Sequence, residues 1–301
     1  MSNAPEPIVI LGTGRSFTSV ICCMIGEHPD LIGLPETNIF RDDTLGQVYR
    51  RFGQGANKRR RAGLLRTIAH FHDGEQTEET INAAEQFILE SMHWNSSQIA
   101  EYLVEAAAPK GIVEKSISTC RDATTFGRVR DAWPNARYLH VTRQPESIVK
   151  SMQSRIDGAF EKGKGKRLAG LLQKHSLDEY YNRYTTTILE FMATLKPGQG
   201  MNLRGEDFLT DARLYCRQIC EWAGIDSSDA SIEMMMHPEN NPFAHHGPDK
   251  APGGMSSSFL DNPYYSGKPV ASKPMTVDIA DPEVDPDKRD MYQLGTRLGY
   301  T

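Results

Sequence analysis

The chain has 301 residues, 39 % of them hydrophobic and 24 % charged, which suits a folded globular protein and excludes a disordered or fibrous one. Lys and Arg number 34 against 39 Asp and Glu, a formal net charge of −5, so a general nucleic-acid binder is excluded while a local basic pocket is not. No apolar run approaches the roughly 20 residues of a membrane helix. No secretory segment precedes the first strand, so the chain reads as cytoplasmic with no membrane partner.

Residues 1–5 read as a tag or tail. Pro7-Ile8-Val9-Ile10-Leu11 is a continuous apolar run, the pattern of a strand buried on both faces. A glycine-containing turn starts at Gly12, and an apolar helix is predicted from Thr18 to Gly26. Residues 41–108 read as a polar helical insertion, with the basic cluster Lys58-Arg59-Arg60-Arg61 and one long helix over 78–107. Strands are predicted at 111–115, 137–141 and 201–204, followed by helices over 121–132, from Pro145, and over 210–223. Residues 238–275, rich in Pro, Gly, Ser and Asn, read as a long loop or lid. Strands alternating with helices imply an α/β fold: a three-layer, doubly wound parallel sheet in one domain over 1–301. Chemistry in such sheets sits at the carboxyl ends of the strands, where Gly12, Lys115 and Arg143 all fall.

Two segments carry chemical signals. In Gly12-Thr13-Gly14-Arg15-Ser16-Phe17-Thr18-Ser19, the amides of 15–19 open a helix toward an anion, the Thr18 and Ser19 hydroxyls add hydrogen bonds, and Arg15 adds charge. The segment lacks the Lys-Ser/Thr of a Walker A loop and the third glycine of a dinucleotide fingerprint. In the second segment Arg143 ends a strand, and Ser151 lies about two turns into the next helix with Arg155 one turn beyond on the same face. That pair is either a second phosphate site or a surface ion pair with a solvated serine. The five cysteines are too few and too irregular for a disulfide scaffold and read as buried thiols; no Cys/His set suggests a metal, and His245-His246 lacks partners. Lys162–Arg167 and Lys58–Arg61 read as solvated faces or mobile loops, or as a basic rim that attracts an anionic acceptor or the cofactor itself.

In this order and spacing, over roughly residues 7–225, the motifs resemble the sulfotransferases that use 3′-phosphoadenosine 5′-phosphosulfate (PAPS). Gly14, Arg15, Ser16, Phe17, Thr18 and Ser19 resemble the family's 5′-phosphosulfate loop, and Arg143 with Ser151 its 3′-phosphate site. Glu114-Lys115-Ser116 resembles the lysine-bearing strand end, and 203–209 with 222–225 the two segments that close the domain. The resemblance implies a P-loop-like sulfotransferase fold with a helical insertion. It implies in-line transfer of a sulfuryl group from PAPS to a hydroxyl of a small molecule, carbohydrate or carrier-bound chain, with no metal. Arg15 then absorbs charge, Lys115 reaches the leaving oxygen, and Ser256, Ser257 and Ser258 close over the 3′-phosphate. Ile117 stands where cytosolic animal-type enzymes carry a histidine base. His28-Pro29-Asp30, a strand and Leu34-Pro35-Glu36-Thr37 resemble the tyrosylprotein branch, which makes Glu36 the base and leaves His28 and His140 next in line. Phe17 stands where the loop usually has glycine, a change that fits if Phe17 is helical with negative φ. Two other readings stand beside this one: a small-molecule kinase of P-loop-like fold using ATP and Mg²⁺, and a non-catalytic nucleotide-binding protein.

Overall fold

The computed structural model describes residues 4–53, 60–161, 176–272, 274–275, 281 and 283–300. Among them, five parallel strands form one sheet: β1 (Ile8–Leu11), β2 (Leu31–Gly33), β3 (Gly111–Glu114), β4 (Arg137–Thr142) and β5 (Gly200–Arg204), in the order β2-β3-β1-β4-β5. Val9 pairs with Glu114 on one side of β1, and Leu11 with His140 on the other. Strands β1 to β3 are buried throughout, as a parallel sheet covered on both faces requires. β2 is the short strand that the resemblance placed after His28-Pro29-Asp30. With β1 central, the loops leaving β1, β3 and β4 open on one crevice at the carboxyl edge of the sheet.

Helix α1 (Thr18–Gly26) follows β1 and is almost wholly buried. The insertion holds α2 (Leu45–Arg51), α3 (Ala62–Asp73), α4 (Glu78–Glu90) and α5 (Ser96–Ala107). The predicted long helix over 78–107 is therefore two. Asn95 breaks it: its side chain accepts from the Gln98 amide while the Gln98 side chain accepts from the Asn95 amide, a reciprocal cap that starts a new helix. A 3₁₀ turn (Ile117–Cys120) leads from β3 to α6 (Ala123–Ala132), capped by Asp122. Helices α7 (Pro145–Glu161) and α8 (Leu177–Met192) separate β4 from β5. The predicted helix over 210–223 begins only after Asp211, which caps α10 (Ala212–Ala223); α9 (Gly205–Thr210) is a separate turn directly after β5.

Helix α11 (Asp229–Met235) precedes the long loop predicted over 238–275, which holds one 3₁₀ turn and the short α12 (Ser257–Leu260). This loop crosses back over the crevice and is fastened there. Arg66 donates to the Gly253 carbonyl at 2.9 Å, and the Ser256 amide donates to Ser19 Oγ at 3.0 Å. Helix α13 (Pro286–Arg297) packs on α7 and α8. Residues 1–3 of the expected tail, Lys58-Arg59 and Lys162–Arg167 lie outside the described residues. All five cysteines are free and buried, and among the described residues no helix is long and apolar enough to cross a membrane.

Candidate active site

The loop after β1 is wound tightly. Thr13 and Ser16 share a hydroxyl hydrogen bond of 2.8 Å beneath it, and both are buried. Arg15 (φ 74°) and Phe17 (φ 62°) lie in the left-handed region. This corrects the expectation of a negative φ at Phe17: the residue takes the conformation that suits glycine and costs a larger side chain about 1–3 kcal/mol. Two contacts hold it there. The Arg143 guanidinium lies 4.3 Å over its ring, and the ring packs so closely on the β5–α9 junction that a Cβ on Gly205 would come within 2.6 Å of it. Phe17 is the N-cap residue of α1 and supplies no capping oxygen, so the first amides of the helix open on the crevice without a side-chain cap.

Across this loop stands an ion pair between a buried lysine and a half-buried glutamate. Lys115, 1 % exposed, donates to Ser19 Oγ at 3.1 Å and to Glu36 Oε1 at 3.0 Å. Glu36 is fixed from both sides. Its amide donates to the Gly254 carbonyl at 2.7 Å, and α3 passes so near that a Cβ on Gly63 would lie 2.1 Å from the Glu36 carbonyl oxygen. Beneath Lys115, the buried Glu114 carboxylate accepts from the Ser116 amide and from Thr37 Oγ1, each at 3.1 Å; burial pushes its pKa up, and the Ser116 and Thr37 hydrogen bonds oppose that.

The β4 end brings Arg143 and Ser151 toward the loop, through Arg15. Arg143 donates to the Arg15 carbonyl at 2.8 Å, and Arg15 Nε donates to Ser151 Oγ at 2.9 Å. The other arms of Arg15 reach Ser256 Oγ at 2.9 Å and Ser258 Oγ at 3.4 Å. Burial pulls Arg15 below its ordinary pKa and Arg155 adds to this; burial likewise lowers Arg143, with Glu206 opposing and Arg15 adding. Glu206 is locked by the Gln144 amide at 2.9 Å and the Tyr300 hydroxyl at 3.0 Å.

These groups gather around one cavity of about 1100 Å³, some on its wall and others behind it. Gly14, Arg15, Phe17, Thr18, Ser19, Glu36 and Arg143 line it directly; Ser16, Lys115 and Ser151 stand just behind, bonded to Thr13, Glu36 and Arg15. Ile117 lines the wall without a titratable group. The two reserve histidines are elsewhere. His28 is spent on the Asp226 carbonyl at 2.7 Å and the Asp30 amide, while His140 is buried in the sheet against Asn202, its pKa pulled down to about 4 by burial. Beyond Arg15 and Arg143, five arginines line the cavity: Arg60, from the stretch read as a basic rim, Arg155, and three not singled out from the sequence, Arg41, Arg121 and Arg183. Separation in the sequence hides these three, whereas Arg155 was legible from its helical spacing to Ser151. Among the described residues no group of His, Cys, Asp and Glu side chains is arranged to hold a metal ion.

A parallel sheet with a tight loop after its central strand, and a lysine at the end of the neighbouring one, defines a P-loop-like α/β protein. The chain belongs to the sulfotransferase family, whose model matches residues 7–229. Its fold is similar to the sulfotransferase domain of the Synechococcus PCC 7002 olefin synthase (19 % identity, TM-score 0.72, covering 99 % of this chain and 96 % of that one). It is also similar to the sulfotransferase domain from the curacin biosynthetic pathway (18 % identity, TM-score 0.75, covering 99 % and 98 %). No curated protein matches the chain.

Proposed function

We propose that the chain transfers a sulfuryl group from PAPS to an acceptor hydroxyl by in-line displacement. The observation that carries this reading is the placement of Lys115 between Glu36 and Ser19: a buried cation touching both a cavity-lining carboxylate and the anion loop. In this scheme the amides of α1, Thr18, Ser19 and Arg15 hold the 5′-phosphosulfate, and Arg143 and Ser151 hold the 3′-phosphate. Ser256 and Ser258, already on Arg15, cover the same end.

Glu36 takes the acceptor proton. That step neutralises the partner of Lys115, so the ammonium turns its charge to the oxygen leaving with the bisphosphate. Arg15 and Arg143 supply the remaining positive charge at fixed positions, and no metal has a part in the scheme. The test is a scan of hydroxyl compounds (alcohols, phenols, sugars and carrier-bound hydroxyacyl chains) with sulfur-labelled PAPS, following both label transfer and 3′,5′-adenosine bisphosphate. Label in an acceptor with stoichiometric bisphosphate is expected. Tight nucleotide binding with no transfer to any class would make the chain a non-catalytic binder.

A further inference from the structure

The cavity is cationic at two places, and the sheet order keeps them apart. Arg15, Arg143 and Arg155 gather on the β1 and β4 side, whereas Arg41 follows β2 and Arg121 follows the 3₁₀ turn after β3. Strands lie about 4.8 Å apart, so the ends of β2 and β4 are separated by about 14 Å. The charges press on neighbours within each group: beyond the effect of burial, Arg121 lowers the pKa of Arg41, and Arg155 that of Arg15.

The second group is also short of partners. The Arg41 side chain is 15 % exposed, and its nearest carboxylate, Asp42, stands 3.7 Å away. Asp42 is already committed to Arg51, which donates to its two oxygens at 2.5 and 2.7 Å. Arg121 is 3.6 Å from Asp122, whose Oδ1 accepts from the Thr125 amide at 2.9 Å to cap α6. Among the described residues neither guanidinium donates a hydrogen bond to a carboxylate. Arg41, largely buried and without a carboxylate hydrogen bond, gains most from an oxyanion brought to it; the exposed Arg121 adds a second cation beside it.

The group is built together with Glu36. Asn38, buried with φ 57°, donates through Nδ2 to the carbonyls of Glu36 (3.1 Å) and Arg60 (3.2 Å) and accepts from Ser118 Oγ at 2.7 Å. One side chain thus ties the segment carrying Glu36 and Arg41 to Arg60 and to the 3₁₀ turn that leads to Arg121.

Resting on the sulfotransferase reading of this cavity, we propose that the acceptor itself bears an oxyanion, a carboxylate or a phosphate ester, which docks on Arg41 and Arg121 while its hydroxyl meets Glu36. The transfer balances as before. The acceptor oxygen forms the new O–S bond as its proton passes to Glu36, and the bond from sulfur to the bridging phosphate oxygen breaks with its electron pair leaving on the bisphosphate.

The experiment titrates inorganic phosphate, and separately acetate, into protein saturated with 3′,5′-adenosine bisphosphate, reading the melting temperature. A further rise is expected in the parent protein and its loss in Arg41→Gln/Arg121→Gln, with bisphosphate affinity kept within about threefold. Should the double variant not fold, the more exposed Arg121→Gln alone is expected to weaken the anion response at least threefold. A response to acetate alone marks a carboxylate, and one to phosphate alone a phosphate ester. Acceptors found in the hydroxyl scan supply a second arm: an acid is expected to exceed its methyl ester at least tenfold in kcat/KM, and the double variant to erase the gap. Absence of the anion response, an equal response in the variants, or an ester as good as its acid overturns the proposal. So does a loss of bisphosphate affinity matching that of Arg143→Ala. If the bisphosphate does not bind the parent protein, the sulfotransferase reading fails by itself. The same titration without nucleotide, compared between the double variant and Arg143→Ala, still decides whether a second anion site exists.

Discussion

Lys115 and Glu36 divide the proposed chemistry between them, and their substitutions should separate cleanly. Lys115→Met removes a charge that matters mainly as the bond to the leaving oxygen breaks, so turnover should fall strongly while bisphosphate affinity, read by calorimetry, stays within about tenfold. Unchanged turnover would take Lys115 out of the mechanism. Glu36→Gln keeps the size of the side chain and an oxygen for Lys115 but abolishes basicity. A loss of roughly 10²–10⁴-fold in turnover is expected, the range for general-base catalysis, with nucleotide binding intact. A drop below tenfold would move the role to another group on the cavity wall, and neither His28 nor His140 is free to take it. Phe17 poses a different question, because its left-handed backbone opposes its side-chain contacts. Phe17→Gly relieves strain of about 1–3 kcal/mol and forfeits ring packing with the Arg143 stack, worth about 0.5–2 kcal/mol for the cation–π part. The melting temperature should therefore move little, while bisphosphate affinity falls about threefold to tenfold as Arg143 loses its support. Equal affinity in a competition assay would reduce Phe17 to a filler.

Among the elements, α1 carries a liability at its far end. Glu27 is its C-cap residue, where the helix dipole already disfavours a negative charge. Burial raises its pKa from 4.5 to about 7, with Lys110 and a hydrogen bond from Asn241 opposing and Glu239 adding to the rise. A carboxyl whose folded pKa lies above its unfolded one is favoured in the protonated form, so its contribution is fullest below pH 4.5 and is lost as pH rises toward 7. Glu27→Gln should abolish this slope. In urea titrations the variant should gain stability over the parent between pH 5 and pH 8; a parallel pH dependence of both proteins would refute the assignment. The same helix shows what was legible. Its start was readable because a glycine turn and an apolar run are local signals, and the carboxyl ends that display Lys115 and Arg143 followed from them. The breaks at Asn95 and Asp211 were not, because a single capping residue inside a good helical pattern decides them. The conformation of Phe17 was misjudged for a related reason: it depends on Arg143 and Gly205, 126 and 188 positions away.

At the scale of the whole molecule, a chain with net charge −5 concentrates arginines in one cavity, from both halves of the sheet and from the insertion. Sequence displays the residues near the strand ends, since each strand announces its own end; it hides Arg41, Arg121 and Arg183, which meet only when the insertion, the 3₁₀ turn and α8 fold onto the crevice. That convergence makes nucleotide identity a property of the assembled protein. On the proposed reading, a ligand carrying phosphates on both the 5′ and 3′ positions would span the α1 loop and Arg143, whereas 5′-AMP would engage only the loop and ATP would line its charges along one direction. Ligands that bind only the folded state stabilise it by RT ln(1 + [L]/Kd), so affinity differences appear directly as differences in melting temperature. At equal concentration, 3′,5′-adenosine bisphosphate should raise the melting temperature well beyond either 5′-AMP or ATP. Arg143→Ala should remove about 1.5–3 kcal/mol of bisphosphate binding, the value of a charged hydrogen bond, and bring its shift down to that of 5′-AMP. The response to 5′-AMP itself should change little in that variant, because Arg15 and the α1 amides remain. Equal shifts with all three nucleotides in the parent protein would show that Arg143 reads no second phosphate, and the donor assignment would fall with it.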